Sequence, residues 1–222
     1  MKAEALKQVS YDPACFLNVE TVEEARDIIV TPFDKLSPQH RWDTETPYLV
    51  GLIEKWLQPR SYLIAHPTSK VLDYGCGIGR LAKPLIEKCG CDVIGVDLSP
   101  NMRALAESCL ASDAFMTLPP NMMSFLVKEC CDFAVSIWTL QHVLHVRDAL
   151  RDIEQMLKVG GRLFVVNNMG RVVPTTAGWV DDGVDVRAVL KDCFTEIDYG
   201  RLSEAVAPES FGDNTFWAVY QK

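Results

Sequence analysis

The run from Val71 to Arg80, VLDYGCGIGR, constrains the fold of this chain more than any other stretch. It is an apolar strand candidate that meets an acid and then three glycines alternating with other residues. Glycines placed directly after a strand let the backbone turn sharply and let a ligand approach it closely. Turns of this kind belong to sheets in which strands alternate with helices. The rest of the chain has that alternation, with β-rich runs near 70–74, 92–97, 131–137, 162–167, 194–199 and 215–221. The clearest helix joins the third run to the fourth. It carries Ala149, Leu150, Ile153, Met156 and Leu157 on one face, with Gly160 and Gly161 expected to end it.

An irregular stretch, Gly200 to Asn214, separates the last two runs, with no helical pattern for a crossover. Those runs are expected to pair antiparallel. The fold class is therefore α/β: a doubly wound sheet, mostly parallel, with one antiparallel strand near the C-terminus. Residues 1–60 read as a helical cap or lid ahead of a domain over 61–222. Thr21-Val-Glu-Glu24 has the pattern of a capping box. Thr46-Pro47 is expected to start a second helix, with Leu49, Leu52, Ile53, Trp56 and Leu57 on its apolar face and Pro59 as its stop.

Charge and cysteine usage narrow the function classes. With 22 basic and 30 acidic residues the net charge is −8, which repels phosphate backbones and makes nucleic acid a poor partner. No apolar run approaches the roughly 18 residues needed to cross a bilayer. The N-terminal stretch MKAEALKQVSYDP lacks the apolar centre of a secretory signal. The eight cysteines include no CxxC pair, so no metal site is expected. A reduced, cytoplasmic protein is the simplest expectation. Its oligomeric state stays open.

Ligands of a doubly wound sheet bind beyond the carboxyl ends of its strands, where Gly75, Gly77 and Gly79 fall. A dinucleotide turn would read GxGxxG, but the third glycine slot holds Arg80, and Asp73 stands just before the turn. A carboxylate disfavours a pyrophosphate and favours a cation, so the turn suits a positively charged ligand. Asp97, twenty residues beyond Gly77 and at the end of the next strand, is placed to accept from two ribose hydroxyls.

Five segments occur in order: VLDYGCGIGR, GVDLSPNM, ASDAFMTLP, CDFAVSIWTLQHV and LKVGGRLFVV. Over residues 70–168 the chain thereby resembles the class I S-adenosylmethionine-dependent methyltransferases, in the broad group that acts mainly on small molecules. The resemblance implies a Rossmann-like fold and S-adenosyl-L-methionine as cofactor, with S-adenosyl-L-homocysteine as product. It places Asp73 and the Gly75-Cys76-Gly77 backbone against the methionine part. It gives Asp97 to the ribose, Leu98 and Met102 to the adenine surroundings, and Asp113 and Ala114 to the adenine edge. Ile137 would lie near the cofactor's amino group. So little chain separates the helix after Pro100 from Asp113 that the third strand must be very short.

The loop Trp138–His142 should face the transferred methyl. His142 is the first candidate base and His145 the second, although His142 reads more readily as a residue that caps or packs the following helix. Trp138 and Trp42 are candidates for the acceptor pocket, with Tyr11 and Phe33 behind them. Arg41 is a candidate partner for the methionine carboxylate. The stretch from Arg171 to Val186, carrying Trp179, Asp181 and Asp182, would form the opposite wall. The expected activity is methyl transfer to an oxygen or nitrogen of a small-molecule acceptor, mainly by alignment. A protein methyltransferase and a non-catalytic cofactor-binding regulator remain as alternatives.

Overall fold

The computed structural model describes residues 10–30, 37–57, 68–203, 206 and 214–222. Phe33, Pro59 and much of the stretch between Gly200 and Asn214 lie outside them. Among the described residues a seven-stranded sheet has the order β3-β2-β1-β4-β5-β9-β8. Its strands are β1 (Lys70–Tyr74), β2 (Asp92–Val96), β3 (Phe115–Leu118), β4 (Cys131–Ile137), β5 (Leu157–Asn168), β8 (Thr195–Gly200) and β9 (Thr215–Gln221). β1 to β5 run parallel. β9 lies antiparallel to both β5 and β8, so it alone is reversed. This is the mostly parallel sheet with one inserted antiparallel strand that the sequence led us to expect. β3 has four residues and follows Asp113, whereas the expected short strand lay between the helix after Pro100 and Asp113.

The burial pattern explains the layers. β1 and β4 are buried on both faces because helices cover both sides of the sheet. One core holds Leu72, Ala134, Leu150, Ile153, Leu163 and Tyr220 under α6 (Val146–Met156) and α7 (Val186–Cys193). The other holds Leu49, Ile53, Val71, Leu85, Val135 and Phe164 under α3 (Pro38–Glu54) and α4 (Ala82–Cys89). Helix α5 (Pro100–Leu110) joins β2 to β3 and is capped by the Ser99 hydroxyl, which accepts from the Met102 amide.

Several element boundaries differ from expectation. Helix α3 starts at Ser37-Pro38, not at Thr46-Pro47, and Pro47 sits inside it. Both pairs have the cap-then-proline pattern, and an interior proline costs about 3 kcal/mol. Buried ion pairs made by Arg41 and Glu45 hold the first turns in the helix, and Pro47 faces outward. Gly160 and Gly161 do not end α6. The chain enters β5 at Leu157, and the glycines fall where the β4–β5 register shifts. The Thr21 capping box is present at the start of α2 (Val22–Ile29).

Unexpected elements surround the carboxyl edge of the sheet. Residues 171–186, expected only as a wall, form a hairpin of β6 (Gly170–Thr175) and β7 (Gly178–Asp185). Arg171 holds the hairpin down: its guanidinium pairs with buried Asp182 and donates to the carbonyls of Val143 and Leu144. Tyr11 bridges Thr175, the Asp12 amide donates to Pro174 and the Thr176 amide to Ser10, so the N-terminal segment lies along the hairpin's end.

Candidate active site

The glycine turn forms as its sequence requires. Gly75, Gly77 and Gly79 have φ of 83°, 53° and 79°, in the left-handed region. At Gly75 a Cβ atom would stand 2.0 Å from Thr139 Oγ1, so both conformation and space demand glycine. The amides of Gly75 and Cys76 donate to the Val96 carbonyl, which stitches the turn to the end of β2. Cys76 itself is buried, its sulfur 2.8 Å from where a Cβ would stand on Gly95. Its side chain thus packs on β2, and only its backbone belongs to the turn.

Two carboxylates meet this turn. Asp97 Oδ2 accepts from the Gly77 amide at 2.9 Å and Oδ1 from the Ser99 amide at 2.9 Å. Each of its oxygens keeps a lone pair for a further donor. Asp73 is 3% exposed at the end of β1. Burial, and then the neighbouring Asp97 charge, push its carboxyl up to about 7. Asp97 is also raised, by burial. Among the described residues neither carboxylate takes part in an ion pair, so a cation arriving there would relieve both. Leu98, 45% exposed, presents an apolar surface beside them. Ile137 ends β4, half-buried, with its carbonyl accepting from Thr139 Oγ1.

Other expected contacts fall elsewhere. Asp113 and Ala114 precede β3, and the Ala114 carbonyl accepts from Val93 at the start of β2. They therefore stand at the amino edge of the sheet, the end opposite Asp97, and cannot serve an adenine bound beside Leu98. The carboxyl end of β3 is Leu118, whose carbonyl accepts from the Asp97 amide. The prolines at 119 and 120, which cannot continue a strand, were the signal for that end. Met102 is buried with Val19, Ala25 and Ile78 under the N-terminal segment, so it supports the turn from behind.

Arg41 is 3% exposed and bound to Glu45 Oε2 at 2.8 Å; a ligand carboxylate would have to compete with that bridge. The guanidiniums of Arg26 and Arg80 lie 5.4 and 5.3 Å from the centre of the Trp42 ring. It lines a cavity of about 450 Å³ with Ile78, Lys83 and Leu110, and neither Asp73, Asp97 nor Ile137 borders that cavity. Trp42 thus lies behind the turn rather than over the methyl position. Trp138 follows β4 with φ of 57° and donates from its indole to Glu45 Oε1 at 2.7 Å.

His142 is held at both ring nitrogens. Nδ1 donates to the Val172 carbonyl at 2.7 Å, so Nε2 is the bare nitrogen, and it lies 3.1 Å from the Gln141 amide nitrogen. The Gln141 oxygen accepts from Asn168, which leaves that amide nitrogen to donate. Burial holds His142 below its ordinary range, hence neutral at pH 7. The ring packs against Phe16 and Trp179, which also touch each other, with centroids 5.0–5.9 Å apart. The N-terminal segment, the loop after β4 and the hairpin meet in this cluster. His145 is exposed at the start of α6.

Residues 72–165 match the family model described as a methyltransferase domain. A ubiquinone/menaquinone biosynthesis C-methyltransferase of Syntrophotalea carbinolica is 31% identical over 152 residues, 66% of this chain and 63% of that protein. A ubiquinone biosynthesis O-methyltransferase of Bradyrhizobium diazoefficiens is 36% identical over 46% of this chain and 40% of its own length. The chain thus spans less than two thirds of these relatives. A solved Pyrococcus horikoshii protein shares the fold, with TM-score 0.62 at 20% identity, covering 90% of this chain and 99% of that one. Motif order, family match and fold agree: residues 72–165 carry a methyltransferase domain, and the chain is similar there to the class I S-adenosylmethionine-dependent methyltransferases.

Proposed function

We propose that this protein transfers the methyl group of S-adenosylmethionine to an oxygen or nitrogen of a small molecule. The observation that carries the proposal is the pair Asp73, buried, and Asp97, partly buried, two carboxylates without ion pairs among the described residues that meet the glycine turn. A dinucleotide pyrophosphate would be repelled there, whereas a ligand bearing an ammonium and a sulfonium is matched. In this reading Asp97 holds the ribose hydroxyls, Gly75–Gly77 the methionine part, and Leu98 with the segment after Leu118 the adenine.

S-adenosylmethionine supplies an electrophilic methyl when bound. What the chain supplies is alignment and shelter. Ile137 and the loop after it border the place of transfer, while the Phe16–His142–Trp179 cluster and the Tyr11–Thr175 bridge shield it. Orientation of bound reactants supplies about 7–11 kcal/mol in favourable cases. With both nitrogens occupied, His142 acts in this proposal as the bracket between loop and hairpin. An acceptor whose lone pair needs little help from a base suits such a site.

The relatives' names cover carbon, oxygen and nitrogen methylation, and small molecules are what those names specify. Residues 1–60 serve as the lid in this reading. A cytoplasmic setting suits it, since no disulfide links the cysteines among the described residues. No helix among the described residues is long and apolar enough to cross a membrane. The test is S-adenosylhomocysteine release from S-adenosylmethionine against panels of small phenols, acids and amines, peptides, and tRNA. Turnover confined to the small molecules supports the proposal. Turnover confined to peptides or RNA, or none beside intact cofactor binding, refutes it.

A further inference from the structure

Glu45 is fully buried and lies outside the five sequence segments that carry the resemblance, yet three side chains converge on it and its helix neighbour. Its Oε2 accepts from Arg41 at 2.8 Å, and its Oε1 accepts from Arg80 at 3.2 Å and from the Trp138 indole at 2.7 Å. Thr46, the next residue, accepts from Arg80 Nε at 2.8 Å. A buried carboxylate is retained at such a place only when its charge is matched and both oxygens are hydrogen-bonded, as they are here.

Its partners reach the two ends of the glycine turn. Arg80 is the residue directly after Gly79. Trp138 has the left-handed φ of 57°, a conformation unfavourable for a bulky side chain that persists only where the surroundings hold it. Two bonds do so: the indole to Glu45 and the Trp138 amide to the Val166 carbonyl at 2.8 Å. That reversal places Thr139 in the space where Gly75 lacks a side chain. Glu45 therefore touches one end of the turn through Arg80 and the other through Trp138 and Thr139.

We infer that Glu45 is a positioning residue through which the seating of helix α3 sets the shape of the cofactor turn, so that lid docking and cofactor binding are linked. The inference rests on the proposed cofactor, but the linkage itself can be read without it. A binding site whose shape depends on a docked element binds more weakly when that element is loosened, in proportion to the population lost.

The experiment compares the full chain with Glu45→Gln, Trp138→Phe and the double variant. In ligand-free protein the amide resonances of Gly75 and Thr139 are followed by NMR, and S-adenosylhomocysteine affinity by calorimetry. Trp138→Phe removes one hydrogen bond and leaves both ion pairs, so it keeps the test open if Glu45→Gln does not fold. Each folded variant is expected to shift both resonances and to weaken binding about tenfold. The double variant should lose less than the product of the two. Unmoved Gly75 and Thr139 resonances in a folded variant overturn the linkage. So does affinity within twofold of wild type. If wild type fails to bind, the cofactor reading falls instead, and the resonances alone decide the role of Glu45.

Discussion

The ends of β2 and β3 lie side by side, and each strand has an acid next to it in sequence. Asp97 follows β2 and meets the glycine turn; Asp113 precedes β3 and stands exposed at the opposite edge of the sheet. The strands pair in parallel register from Val93–Phe115 to Val96–Leu118. At about 3.3 Å per residue, that register separates the two edges by on the order of 10 Å. An acid's value to a ligand in this fold is set by which end of the strand it occupies, and chain order alone does not report that for so short a strand.

Substitutions can break or sharpen this contrast. Gly75→Ala should have the largest effect, because it forces both a left-handed alanine and a collision with Thr139. We expect about 2–4 kcal/mol of lost stability in denaturant unfolding and a loss of S-adenosylhomocysteine binding beyond roughly 100-fold. Asp97→Ala should weaken that binding by about 1.5–3 kcal/mol, roughly 10- to 150-fold, the scale of hydrogen bonds to a charged group. An Asp97 variant that binds as wild type does would remove the ribose assignment.

The third effect is one of pH. With the Asp73 carboxyl raised to about 7, protonation below that pH removes the charge that a cationic cofactor needs. S-adenosylmethionine binding should therefore tighten about tenfold from pH 6 to pH 8 and level off above. The ligand-free protein should show the opposite trend from this group. The folded state holds a proton that the unfolded chain releases near pH 4, so the Asp73 contribution to stability falls as pH rises from about 4 to 7. Calorimetry and thermal unfolding across that range check both signs. Asp113→Ala should change cofactor affinity less than twofold, the smallest effect; a tenfold loss there would contradict the placement of β3.

Much of the fold was legible because its signals are local. β1, β4 and β9 fall at the expected residues, since apolar β-branched runs bounded by glycine, proline and acids have few other solutions. Asp73, Gly75, Gly77 and Asp97 come together because all four sit at carboxyl ends of adjacent strands. The rest depends on distant partners. Helix α3 could be started from Ser37 or Thr46 on pattern alone, and the choice was made by Glu45 meeting Arg80 and Trp138, 35 and 93 residues away. Likewise, nothing local marks His142 as a bracket; its role comes from Val172 on a hairpin whose position depends on Arg171 and Asp182.

Calorimetric titration of the purified chain with S-adenosylhomocysteine, run in parallel with NAD⁺, tests the central claim most directly. Micromolar binding of S-adenosylhomocysteine with no heat from NAD⁺ is the predicted result. Binding of NAD⁺ alone, or of neither, would contradict the assignment of the glycine turn and its two carboxylates to a cationic methyl donor.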